Sequence, residues 1–234
     1  GVQALRLLGR VWAWLFLLVL IAFFTATTPH FFDLFNFQAM GANMAIVLVL
    51  AVGMTFVIIT GGIDLSVGYV MGLATVVISM IMQSMVGYPL PVALAAGAAG
   101  GIGVGLVAGL FNGFVVARLN VSPFIATLGT LGIAQGIAYV LSGGPPVSIQ
   151  IPGLGQLGNG FVAYWHQEFG FSLFSVPDGV TGPEMRNVQS FVPLQLLYAG
   201  IFTLICGWLL AGTQFGRHVY AIGGSAKAAL RAGI

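Results

Sequence analysis

Charge is what this sequence has least of, with seven Lys or Arg and five Asp or Glu in 234 residues, 5% where a soluble domain carries about 25%. So few ionic groups cannot make a water-facing surface, which excludes an ordinary soluble fold and leaves lipid to cover much of the chain. Cysteine is as scarce: Cys206 stands alone, so no intrachain disulfide forms and a cysteine-based metal site is not expected. Lysine occurs once. Lys227 precedes Ala228, which excludes the phosphate-binding pattern Gly-x-x-x-x-Gly-Lys-Ser/Thr, so an ATP-driven process would need its nucleotide site on a separate subunit. The other cations, Arg6, Arg10, Arg118, Arg186, Arg217 and Arg231, are dispersed and form no nucleic-acid patch. His30, His166 and His218 lack metal-ligand spacing, and the five acids form no close pair inside one apolar run. Neither a catalytic constellation, a metal, a cofactor nor a carboxylate relay for protons is expected.

What the chain has in abundance is apolar length. A helix needs about 20 mostly apolar residues to cross the hydrocarbon core. Six stretches approach this, at 11–28, 40–60, 66–86, 91–117, 123–141 and 192–212. Turn chemistry separates them: Pro29, Gly61-Gly62, Gly87-Tyr88-Pro89, Asn120 to Pro123 and Gly143-Gly144-Pro145-Pro146. The first stretch follows Arg6 and Arg10 like a signal peptide but ends in Thr27-Thr28-Pro29-His30, without a small-residue cleavage site, and reads as a retained helix. The expectation is an all-α polytopic transmembrane bundle forming one domain over 1–234. With the N-terminus in the cytoplasm, every cation but Arg186 falls on the cytoplasmic side, as short basic loops do. Residues 142–191 then form a long outer segment, read either as an irregular cap with interfacial aromatics or as a docking surface for a solute-binding partner.

Three features carry candidate roles. Gly97, Gly101, Gly105, Gly109 and Gly113 repeat every fourth residue, a ladder expected to allow close helix packing, with lining of a solute path as the alternative. In Thr60-Gly61-Gly62-Ile63-Asp64-Leu65-Ser66-Val67-Gly68, either Asp64 or Ser66 suits the N-terminus of the third span as a cap, and Asp64 is alternatively a gating or solute contact. Asn43, Thr55, Asn112, Thr127, Thr130 and Gln135 place uncharged hydrogen-bonding groups within spans, where they would line a path for a polar solute or make interhelical contacts.

The 61–68 segment resembles the ribose-type permeases of ABC importers. Phe111-Asn112-Gly113 with Ser122-Pro123-Phe124-Ile125-Ala126-Thr127-Leu128-Gly129, and Gly216-Arg217-His218-Val219-Tyr220-Ala221-Ile222-Gly223-Gly224, extend the resemblance in the same order. It implies a permease subunit in a bacterial inner membrane, moving a sugar-like solute with a second permease subunit, an extracytoplasmic solute-binding protein and paired ATPase subunits. It further implies that 216–234 is the cytoplasmic ATPase-coupling segment, built on Gly216, Arg217, Tyr220, Gly223, Gly224, Lys227, Ala228, Ala229, Arg231 and Gly233. Ser225 stands where that family usually has Asn, and Leu230-Arg231 reverses its usual order. The sequence stops at Ile234 where such permeases continue, so an incomplete chain is expected. Related permeases for branched-chain amino acids or nucleosides, and an ATP-independent transporter or channel, are the alternatives.

Overall fold

The computed structural model describes residues 2–234, with side chains from Val11 onward; the side chains of Arg6 and Arg10 lie outside the described residues. Each expected span coincides with a helix: α1 (Val2–Thr27), α2 (Leu34–Ile59), α3 (Val67–Ser84), α4 (Leu90–Ala117), α5 (Pro123–Ser142) and, after a short α6 (Leu154–Asn159), α7 (Leu194–Gly212). Among the described residues, α2, α3, α4, α5 and α7 are long and apolar enough to cross a membrane, while the apolar part of α1 is the shorter Val11–Thr27. The protein is therefore an all-α, multi-pass membrane protein. Proline at the first turn of α4 and α5 starts each helix without losing a needed donor, and Gly143, left-handed at φ 70°, ends α5.

Two packing units build the bundle. In one, α3 sits against α4 and α5; in the other, α2 lies along α7. Both seams use a large side chain against glycine. A Cβ on Gly41 would stand 2.8 Å from Leu196 of α7, and one on Gly97 or Gly101 would stand 2.8 Å from Met82 or 2.6 Å from Ile78 of α3. Gly100 holds the same seam against Ile81. The ladder does not continue along this face: nothing lies within 4 Å of a Cβ on Gly105, Gly109 or Gly113. A four-residue step on an α-helix advances about 40° around the axis, so the row winds off α3 after two members. Leu at Gly101 should therefore cost roughly 1–3 kcal/mol by overpacking, lowering the melting temperature in detergent, whereas Leu at Gly105 should leave the isolated chain unchanged. Equal melting of wild type and Gly101→Leu would remove the packing role.

Residues 142–191, read either as an irregular cap or as a docking surface, contain regular structure. A three-stranded antiparallel sheet forms there in the order β2 (Gly170–Leu173), β1 (Phe161–His166), β3 (Gln189–Pro193). Phe161 to His166 is rich in aromatic residues and short enough for a strand, and the tight return through Gly170, at φ 79°, completes the hairpin. The sheet is seated on the bundle. Gln38 of α2 donates to the Ser190 carbonyl, and Ile151 packs with Met82 and Ala93 at the α3–α4 turn. At the opposite end, α7 leads through Thr213 into α8 (Gln214–Gly224) and α9 (Ala226–Arg231).

Candidate functional site

Four of the seven residues singled out for a solute path meet at one place, near the end of the bundle opposite the sheet. The α2–α3 loop turns back on itself as the Asp64 carboxylate accepts from the Ser66 backbone N–H at 2.8 Å and from the Ser66 hydroxyl at 2.6 Å. Asn112 of α4 donates from Nδ2 to the Ser66 hydroxyl at 3.1 Å, while its Oδ1 accepts from the Thr130 hydroxyl of α5. One turn earlier on the same face of α5, Thr127 accepts from the Leu65 backbone N–H at 3.1 Å and donates to the Pro123 carbonyl at 2.8 Å. Ser66, Asn112, Thr127 and Thr130 are all buried.

The result is a polar pin through loop, α4 and α5. It runs Thr130 to Asn112 to Ser66 to Asp64, each hydroxyl or amide donating to the next, and ends on a carboxylate at the positive end of α3. Every buried member has a partner, so the cluster spends its polarity inside the fold rather than offering it to a passing molecule. Its hydroxyl in reach of a carboxylate, Ser66 on Asp64, is buried and also accepts from Asn112, so it is committed to the fold. The cluster's chemical capacity is mechanical: it fixes the position of a glycine-rich loop relative to two helices.

Ser66 was expected as an alternative cap, and it does occupy the N-cap position of α3, but its side chain makes no capping bond. The hydroxyl is committed to Asp64 and Asn112 instead, which sequence spacing alone does not reveal. Asn43, Thr55 and Gln135 do not join the pin. All three are exposed, and Thr55 bonds only to the Ala51 carbonyl of its own helix. Beside the pin lies an apolar groove of about 500 Å³ between α3, α4 and α5, lined by Val70, Val107, Phe111 and Ile133, which offers almost nothing to a polyhydroxyl solute.

The terminal segment has two faces. Gly216 and Val219 are buried; a Cβ on Gly216 would strike the Leu210 carbonyl, and one on Gly223 the Ile59 carbonyl at the end of α2. These two glycines thus bring α8 into backbone contact with the bundle. Arg217, Tyr220, Gly224, Lys227, Ala228, Leu230, Arg231 and Gly233 are exposed, whereas Ala229, named with them in the coupling segment, is buried. Each helix has a hydroxyl cap, with Thr213 accepting from Gly216 N–H and Ser225 from Ala228 N–H, both at 3.3 Å.

A family model described as branched-chain amino acid transport system / permease component matches residues 38–234. The chain is 32% identical over 231 residues to the galactose/methyl galactoside import permease protein of Haemophilus influenzae, covering 93% of this chain and 61% of that protein. It is 34% identical over 220 residues to the ribose import permease protein of Bacillus subtilis, covering 94% of this chain and 58% of the relative. With the autoinducer 2 import system permease protein of Salmonella typhi it shares 31% over 222 residues, 95% of this chain and 54% of the relative. The chain thus spans about three fifths of the length of the first two relatives. No solved structure matches it.

Proposed function

The chain belongs to the family described as branched-chain amino acid transport system / permease component, and from that premise we propose that it is a permease subunit of a binding-protein-dependent importer for a sugar or sugar-like solute. The observation that carries the solute class is the set of relatives, which includes, aligned with more than nine tenths of this chain, import permeases for galactose, ribose and autoinducer 2. The family description itself points to branched-chain amino acids, which are the second reading. The permease does no covalent chemistry in this proposal. A solute-binding protein on one side and ATPase subunits on the other bias it between outward and inward states.

The fold gives this proposal two ends. The segment 142–191, with the sheet that ends at Pro193, would face outward, and α8–α9, with Arg217, Lys227 and Arg231, would face the cytoplasm of a bacterial inner membrane. Asn43 and Gln135 carry amides on membrane-crossing helices without a side-chain partner among the described residues, and in lipid that is costly. They would line the solute path or the contact with a second permease subunit.

Uptake of labelled galactose, ribose and leucine, by cells carrying the full-length protein with its binding protein and ATPase, decides between the readings. Sugar uptake lost on deleting the permease supports the proposal; loss of leucine uptake alone refutes it. Orientation is tested separately. With Cys206 replaced, a cysteine at Asn159 should react with an impermeant maleimide in intact cells and one at Ser225 should not; the reverse pattern overturns the topology.

A further inference from the structure

The hydrogen bonds of His166 leave one account open. Its ring is 3% exposed, and Nδ1 accepts from the Glu168 and Phe169 backbone N–H groups at 3.2 and 3.4 Å. An accepting Nδ1 places the ring proton on Nε2, which is buried and has no partner. An unmet buried donor costs about 1–3 kcal/mol and is uncommon in a settled fold.

The same ring lines a cleft of about 560 Å³ outside the membrane-crossing helices, a size common for small-molecule sites. Trp165, 40% exposed, and Gln189 are cross-strand partners in β1 and β3 and both border the cleft. Glu168 comes from the β1–β2 turn, while Glu184, Arg186 and Asn187 come from the 3-10 turn at Gly182–Asn187. Among the described residues, no ion pair joins Arg186 to either glutamate. Two anions, one cation and several amides thus surround an indole with their hydrogen-bonding capacity unspent.

That inventory selects its ligand. Two carboxylates disfavour an anion, and a simple cation would leave Arg186 and the amides without an acceptor. A ligand with many hydroxyls, each both donor and acceptor, satisfies carboxylates, guanidinium and amides at once, and an apolar C–H face would stack on an indole. We propose that the cleft bordered by Trp165, His166, Glu168, Glu184, Arg186 and Asn187 is a binding site for a neutral polyhydroxylated ligand of the monosaccharide class, separate from any path through the membrane. The inference rests on the cleft alone and needs neither ATPase nor transport, so its failure leaves the permease reading intact.

The test uses the purified chain in detergent with Trp12, Trp14 and Trp208 replaced by Phe, so that Trp165 is the sole indole. Titration with D-galactose and D-ribose should change its fluorescence saturably, with Kd in the range of about 0.1–10 mM for so open a site. Glu184→Gln should weaken the better sugar by about tenfold, the loss of one charge-assisted hydrogen bond. Saturation-transfer NMR on the unsubstituted chain repeats the measurement without the Trp replacements. The proposal is overturned by no saturable response in either experiment up to about 50 mM, by equal affinity in Glu184→Gln, or by leucine binding as well as the sugars.

Discussion

Asn112→Leu should cost the chain roughly 1–3 kcal/mol and abolish solute uptake in the full-length protein. Leucine shares asparagine's γ-branching and number of side-chain heavy atoms but is larger, so the change removes the polar bonds and adds some bulk. It leaves the Ser66 hydroxyl with Asp64 alone, and Thr130 with the Ala126 carbonyl at 3.2 Å. Both hydroxyls keep a bond, which bounds the stability loss; what disappears is the connection from the α2–α3 loop through α4 to α5. A thermal melt in detergent measures the first effect. The second needs a control, because an unstable permease also fails to transport. Thr130→Val breaks the same connection from the other side, so the double variant should lose less than the sum of the singles by 0.5 kcal/mol or more, roughly. Additive losses would show that the pin is no unit. Asp64→Asn keeps the acceptor and removes only charge, so it should destabilise less than Asn112→Leu; the reverse order would locate the pin's worth in the carboxylate.

The bundle was legible in the sequence because its signal is length. A run such as Leu34–Ile59 is too long and apolar for anything but a span, and Gly61, Gly87 and Gly143, all at positive φ, punctuate the ends as glycine does. The sheet was less legible. Phe161 to His166 shows no apolar–polar alternation, and the glycines and prolines around it suggest loop, so pairing with the distant Gln189–Pro193 had no local signature. The ladder misleads for a geometric reason, since equal spacing of four is not a straight row on a helix. At the pin, Asp64, Asn112, Thr127 and Thr130 stand out as polar groups in apolar surroundings, while Ser66 reads as one of two alternative caps because serine at a helix start so often is one. The Thr127 and Thr130 spacing, one turn on one face of α5, is the signal that joins them.

The terminal segment should separate into two functions that different substitutions remove. Ala228 is exposed, and Trp there adds bulk on the outward face without touching the bundle. Ala228→Trp should therefore leave folding intact and strongly reduce co-purification of the ATPase subunit proposed above, while Lys227→Ala, removing a peripheral cation, should mainly slow encounter and flatten its salt dependence. Gly223 faces the other way. A valine at this position meets the backbone carbonyl of Ile59, which cannot rotate aside as a side chain would, so α8 must lift from the end of α2. Ile59 leads directly through Gly61 and Gly62 to Asp64, and a displaced α8 shifts the loop that the pin holds. Gly223→Val should thus retain ATPase binding yet lose uptake, with ATP hydrolysis no longer responsive to the solute-binding protein. A loss of ATPase binding by Gly223→Val equal to that of Ala228→Trp would merge the two faces into one. Normal uptake with Gly223→Val would show that the α8–α2 contact transmits nothing to the membrane helices.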